Sequence, residues 1–437
     1  MNFIIYLFSK KTLRIFYVFV IGIFVIKIDS FTGERVGHAS VVIGSKLYFF
    51  GGIKINSFCS DEIFYLDVSK TFSIESPPWV DLTIHVKMPF GGAMNTVSLV
   101  TINDEPIVYL FGGVMLDPIT GEDLFVSNTH TFNPKTLEWK IPFIKGKEPE
   151  RRRNIRGASD DTGKIYIFSG FYDAYLYSNS VHFFDEMLIL DTFNSTWSYS
   201  TALNMPIRRA GYSATMLKNG VIVYIGGSIT EQELTININN IVLYDTKLDT
   251  WSTMVATNTS LMDSRFFHSA VLDPDENIIV YGGRKSKVGF AKVEPPVIVL
   301  NTRKTPFEWT APLVSSNIDS VISTSGHTAN LIGNYMIVAF GNITELHSHD
   351  KMYNSRMYIM DIRNYTWVET FEVIENTKNK TEESPTSTSG NIQRINIVIG
   401  VIIGVIVIIL SIIGLLIYKK RENEENRVKY LEPVPNE

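Results

Sequence analysis

Several residues have the types and spacing to do chemistry. His347, His349 and Asp350 place two imidazoles and a carboxylate within four positions, donors that suit a transition metal. No third, distant ligand can be identified, so no metal site is assigned and no cofactor is expected. Cys59 is the only cysteine, which excludes an intrachain disulfide and any CxxC zinc site. The chain has no GxSxG, HExxH or P-loop signature, and no catalytic residue is assigned. Residues 171–184, FYDAYLYSNSVHFF, concentrate Tyr172, Tyr175, Tyr177 and His182 on a stretch too irregular to be a strand. Tyrosines offer flat, partly polar surface to a sugar ring or a protein. Half of these aromatics could equally pack the loop onto its own flanking strands. Just upstream lies the run Arg151, Arg152, Arg153 and Arg156, which either meets an acidic partner or forms a solvated turn. The ligand-binding candidates are therefore Tyr172, Tyr175, Tyr177, His182, Arg152 and Arg153.

The elements that carry these residues must be β. Of the 437 residues, 12% are aromatic, 45% hydrophobic and 19% charged. That composition suits packed strands and excludes a disordered chain. A net charge of -5 leaves no basic footprint, so nucleic acid is not an expected partner.

The two ends predict topology. Ile395 to Tyr418 is an uncharged apolar run, long enough for one membrane-spanning helix. Lys419, Lys420 and Arg421 follow it, which places the tail 419–437 in the cytoplasm. Residues 1–30 carry Lys10, Lys11 and Arg14 ahead of the apolar run Ile15 to Ile26, the layout of a signal peptide or an uncleaved signal-anchor. Either way the intervening chain is exported, to the outside or to a lumen. Asn194, Asn258, Asn342, Asn364 and Asn379 each begin an Asn-x-Ser/Thr sequon in that exported part, so all five are N-glycosylation candidates. Residues 375–393 are a Ser/Thr-rich stalk.

Between the ends the chain repeats itself. Every tryptophan recurs once per period, at Trp79, Trp139, Trp197, Trp251, Trp309 and Trp367. In phase with them, Gly51-Gly52, Gly112-Gly113, Gly226-Gly227 and Gly282-Gly283 each end an apolar run. Two further runs end at Gly170-Phe171 and Gly341-Asn342, where the second glycine reads as lost. Each period predicts four antiparallel strands: one after an Arg/Gly/His segment, one ending at the glycines, one ending in Asp or Asn, and one with the tryptophan. A single such sheet cannot bury both faces, whereas six arranged radially can. Arg35, His38, Arg209, Arg265, His268 and His327 recur in one slot of successive periods and read as structural.

The order Arg-x-x-His, apolar strand, Gly-Gly, apolar strand ending in Asp, then Trp resembles the kelch repeat. The resemblance implies an all-β, six-bladed kelch-type β-propeller over residues 35–372, to which the apolar run 395–418 adds one C-terminal transmembrane helix. The blades are expected at 35–80, 91–140, 156–198, 209–252, 265–310 and 326–368. It also implies a binding module for a protein or glycan; with the export predicted from the two ends, that ligand is expected to be extracellular, and no catalysis is expected. The alternative it carries is a copper-radical, galactose-oxidase-like enzyme, which needs a tyrosine bonded to a cysteine. Here that cysteine could only be Cys59. Antiparallel order puts the long second-to-third-strand loops on the same rim as the blade-to-blade connections, and the ligand face is expected there.

Overall fold

The computed structural model describes residues 33–55, 58–124, 127–173, 181–229, 234–258, 262–285, 291–344 and 352–373. The N-terminal segment 1–30, the stalk and the predicted span 395–418 lie outside them. So do Tyr175, Tyr177, His347, His349, Asp350 and Asn379. Among the described residues, no helix is long and apolar enough to cross a membrane.

The described chain is all-β and forms six antiparallel blades. Blade one pairs Ala39–Ile43, Lys46–Phe50, Ile63–Asp67 and Trp79–Asp81 in that order. Blade four repeats the plan with Ser213–Met216, Val221–Ile225, Asn240–Asp245 and Thr250–Val255. Blade six has Thr328–Ile332, Tyr335–Ala339, Met357–Asp361 and Thr366–Val368, with Ser315–Ser316 added in parallel at its outer edge. All six tryptophans lie in fourth strands, as the repeat predicts.

The second strands explain why the sheets stack radially. In KLYFF, successive side chains point to opposite faces. Leu47 and Phe49 therefore pack toward blade six, against Tyr335, Ile337 and Ile359. Tyr48 and Phe50 pack toward blade two, against Val108, Leu110 and Phe132. Both faces are apolar because both are buried. Each remaining gap between neighbouring blades holds its own cluster. The tryptophan of each blade faces the preceding blade, as Trp251 does against Phe168 of blade three, with ring centroids 4.8 Å apart.

The third-strand acids and amides do what their position predicts. The side-chain oxygens of Asp67, Asn133, Asp191, Asp245, Asn301 and Asp361 each accept a turn N–H at 2.8–3.0 Å, forming Asx-turns.

Closure takes two forms. On the axis, the N–H of Gly37 donates to the Gly326 carbonyl (2.9 Å), Met94 to Gly37 (2.6 Å) and Asn154 to Met94 (3.0 Å). Gly211 donates to Asn154 (2.8 Å), Phe267 to Gly211 (2.7 Å) and Gly326 to Phe267 (2.8 Å). One residue per blade thus forms an unbroken ring of backbone hydrogen bonds. All six have φ between 54° and 67°, a region bulky side chains rarely adopt; Met94 and Phe267 adopt it nonetheless. On the outside, Thr370–Phe371 pairs with Phe72–Ser73 of blade one, and the Phe72 and Phe371 rings stack at 5.1 Å. The chain end thus clasps the first blade, where the sequence predicts only a fourth strand running on to residue 372.

One reading of the glycine pairs is corrected. In blades three and six the first glycine is the one replaced. Ser169 (φ 54°) and Phe340 (φ 62°) hold the left-handed backbone that Gly51 (φ 61°) holds in blade one.

Candidate ligand-binding site on the propeller axis

The repeated Arg/His slot builds the inner wall. Arg35 is fully buried. Its guanidinium donates to the Gly51 carbonyl at 2.8 Å and pairs with Glu62 at 2.7 Å. Arg265 likewise donates to the Gly282 carbonyl (3.4 Å) and the Pro295 carbonyl (2.8 Å). In blades one, three, four and five the arginine thus ties the start of the first strand to the turn that ends the second strand of its own blade; blades two and six carry Gly92 and Thr324 in that slot. The slot histidines link neighbouring blades. His38 Nε2 meets Thr328 Oγ1 at 2.9 Å, His268 Nε2 meets Ser213 Oγ at 3.0 Å, and His327 Nε2 meets Ser269 Oγ at 2.7 Å. Burial pushes all three imidazoles below their ordinary range, His327 to about 3, so they are neutral at physiological pH.

Inside this wall lies an axial cavity of about 330 Å³. It is lined by ring-slot residues such as Met94 and Phe267, and by loop residues that follow second strands, such as Ile53, Arg284 and Met352. It therefore opens on the rim that the antiparallel order assigns to the long loops. Beneath it, among the first strands, is a smaller chamber of about 130 Å³ edged by Ser213, Ser269 and Thr328. Arg156 lines both.

The expected rim residues divide. Tyr172 and His182 are cross-strand partners in a hairpin of Phe171–Asp173 and Val181–Phe183, and both are exposed. The stretch expected to be too irregular for a strand is thus paired at both its ends, and its opposite face packs Phe171 on Phe183 at 5.3 Å. Arg153 is half-buried over the Phe171 ring at 4.9 Å. Arg152, expected on the binding face, is instead fully buried. It pairs with Glu186 and lies over the Phe184 ring at 3.8 Å, so it is the blade-three member of the structural arginine slot. Of the sequons, the Asn342 side chain is buried and lines the axial cavity. Asn258 is exposed, and its amide donates to the Trp309 carbonyl at 2.9 Å. Asn194 donates to Asp191 at 2.9 Å, and Asn364 Oδ1 accepts from the Thr366 N–H at 3.2 Å.

Cys59 packs with Ala93, Val114 and Leu116. Burial raises its thiol to about 12, so no thiolate is available. No tyrosine lies in that cluster, which leaves the copper-radical alternative without its cysteine–tyrosine pair there. Among the described residues, no group of three or more His, Cys, Asp or Glu could hold a metal.

Sequence reasoning did not single out Asn95 or the axial position of Arg156. The signal was available. The residues that open the first strands at the slot are Ala39, Thr96, Arg156, Ser213, Ser269 and Thr328. Five are small, and one is an arginine.

Comparison with known proteins agrees with this geometry. Residues 25–291 match the family model described as Attractin/LZTR1 beta-propeller, and residues 211–401 match the KLHDC2/KLHL20/DRC7 Kelch-repeats domain. Kelch domain-containing protein 3 of Rattus norvegicus is 29% identical over 273 residues, 58% of this chain and 65% of that protein. The chain thus spans just under two thirds of that relative. Kelch domain-containing protein 1 of Mus musculus is 27% identical over 38% of each chain. The solved structure of YjhT superposes with a TM-score of 0.56 at 14% identity, covering 77% of this chain and 97% of that one, a likeness of fold. With a family model matched over more than half its length and the same repeat in every blade, the chain belongs to the kelch-repeat β-propeller family.

Proposed function

We propose that the propeller is a binding module for an extracellular protein or glycan. It is held outside a membrane by residues 395–418, faces the exterior or a lumen, and performs no chemistry. The observation that carries this reading is the convergence of the axial cavity and the long loops on one rim. Kelch propellers generally bind proteins, and this rim has the surface to do so. Tyr172 and His182 stand exposed side by side. Phe58 is 48% exposed and Ile119 86% in second-to-third-strand loops. Ile84 (83%), Phe143 (82%) and Leu313 (92%) are exposed in the blade-to-blade connections of the same rim. Aromatic and apolar anchors of this kind carry much of the energy of interfaces. The apolar span and the basic residues after it support the membrane assignment.

The test is to express the full chain with a tag after Glu437, treat intact cells with protease, and screen the displayed propeller against extracellular proteins and glycan arrays. The propeller should be digested while the tag survives, and at least one ligand should bind saturably. A digested tag with a protected propeller would reverse the topology. Turnover of an alcohol with peroxide release would replace the binding reading with an enzymatic one.

A further inference from the structure

The fourth strand of each blade is its outer edge, and its outward main-chain groups can template pairing with another chain unless the fold covers them. In three blades the incoming connection covers them. In blade three Lys145 donates to the Ser195 carbonyl and accepts from the Trp197 N–H, both at 2.8 Å. In blade five Thr257 donates to the Phe307 carbonyl (2.8 Å) and accepts from the Trp309 N–H (3.0 Å). In blade six Ser315 donates to the Tyr365 carbonyl (3.2 Å) and Asn317 to the Trp367 carbonyl (2.9 Å). Blades one and two have three-residue fourth strands that carry charge, Trp79–Asp81 and Glu138–Lys140, and shortness and charge both discourage pairing.

Blade four has neither protection. Its fourth strand, Thr250–Val255, is six residues long and uncharged. The incoming connection stops at its start, where Ser200 and Thr201 bond the Asp249 carboxylate, and Met205 then packs between blades three and four. The Ala256 N–H donates to the Asn239 carbonyl at 2.9 Å, and the next pair in register is Asn240 with Val255. Hydrogen-bonded and open pairs alternate along an antiparallel ladder. Thr250, Ser252 and Met254 therefore bond inward, while the main chains of Trp251, Thr253 and Val255 face out. Among the described residues, nothing bonds those outward groups.

We propose that this edge pairs with the same edge of a second copy of the chain, antiparallel about a two-fold axis through Thr253, so that two blades join into one sheet. The strand is complementary to itself in that register. Thr253 meets its own copy, Trp251 meets Val255, and Ser252 meets Met254. Threonine pairs and aromatic pairs with β-branched residues favour cross-strand contact. No like charges meet, because the strand has no charge. All three outward residues of each copy gain partners, in an interface that closes on itself. Val255, 66% exposed, and Leu203, 82% exposed beside the Thr201 contact, add apolar area next to the pairing. The contact is independent of what the long-loop rim holds.

The test is sedimentation equilibrium of the purified full-length chain in detergent. The parent should show a monomer–dimer equilibrium in the micromolar range, as suits a contact of this small size. Thr253→Lys and Thr253→Glu, at an exposed position, should each weaken dimerisation by about tenfold or more, because like charges then face each other across the axis. Mixing the two variants should restore a dimer with one copy of each, read from two different tags, which also shows that both are folded. The apolar segments outside the described residues are the same in every variant, so a dimer held by them would survive both substitutions. A parent that stays monomeric at about 100 μM would overturn the proposal. So would parent-like dimerisation of both variants, or loss of the dimer in each with no recovery on mixing.

Discussion

Trp309→Ala is expected to cost about 3–5 kcal/mol of stability, the range for deleting a buried indole. Trp309 is fully buried between blades four and five, among Val223, Ile225, Ile278, Val280 and Leu300. Those side chains belong to rigid second and third strands and cannot collapse into the space left behind. Among the described residues the indole N–H has no acceptor, so no hydrogen bond is lost with it and the cost comes from the cavity. Trp309→Phe, which refills most of the volume and removes that unpaired donor, should cost much less. Denaturant unfolding of both variants checks this. Equal losses would mean that the indole is not held by packing between blades.

Gly51→Ala is expected to cost about 3 kcal/mol or more, in the upper part of the range for point substitutions. Left-handed backbone is not the reason, since Ser169 and Phe340 adopt it at the equivalent position. A Cβ on Gly51 would lie 2.1 Å from the Gly92 carbonyl oxygen of the neighbouring blade. That same oxygen accepts the Gly52 N–H at 2.7 Å, so moving it weakens the joint between blades one and two. Gly44 supplies the control. It has a similar φ of 58° with nothing within 4 Å of the added Cβ, and Gly44→Ala should cost only about 1 kcal/mol from the backbone itself. If the two alanine variants melt together, the clash contributes nothing.

These two positions show why the fold was legible in the sequence. The gaps between blades impose nearly the same geometry six times, so the residues that satisfy it, a tryptophan and a glycine turn, recur at a readable period. The turns after the third strands were legible for the same reason, because each needs an acceptor two or three residues before its free N–H groups. The site was less legible because it depends on departures from the repeat. Arg152 and Arg156 belong to one arginine run, yet one is bonded into the blade and the other faces the axis. Only alignment of the slots separates them. Phe371 closes against Phe72 through a two-residue pairing, too short to carry a periodic signal. Asn342 is a sequon by pattern, but its strand pairing with Thr324–Ser325 draws it into the wall of the cavity.

A binding module of the kind proposed takes its ligand from the rim on which the axial cavity opens. The most direct measurement compares binding of the ligand identified by the screen to two variants of the displayed full chain. In the double variant Tyr172→Ala with His182→Ala, two exposed side chains are removed from the long-loop rim. In Leu248→Ala, a residue 71% exposed in a turn between third and fourth strands is removed from the opposite rim. Both should leave the melting temperature within about 2 °C of the parent, as surface substitutions do. The rim variant should bind at least about tenfold more weakly, the loss of a hot-spot contact, while Leu248→Ala binds as the parent does. Parent-like binding by the rim variant together with loss in Leu248→Ala would contradict the account.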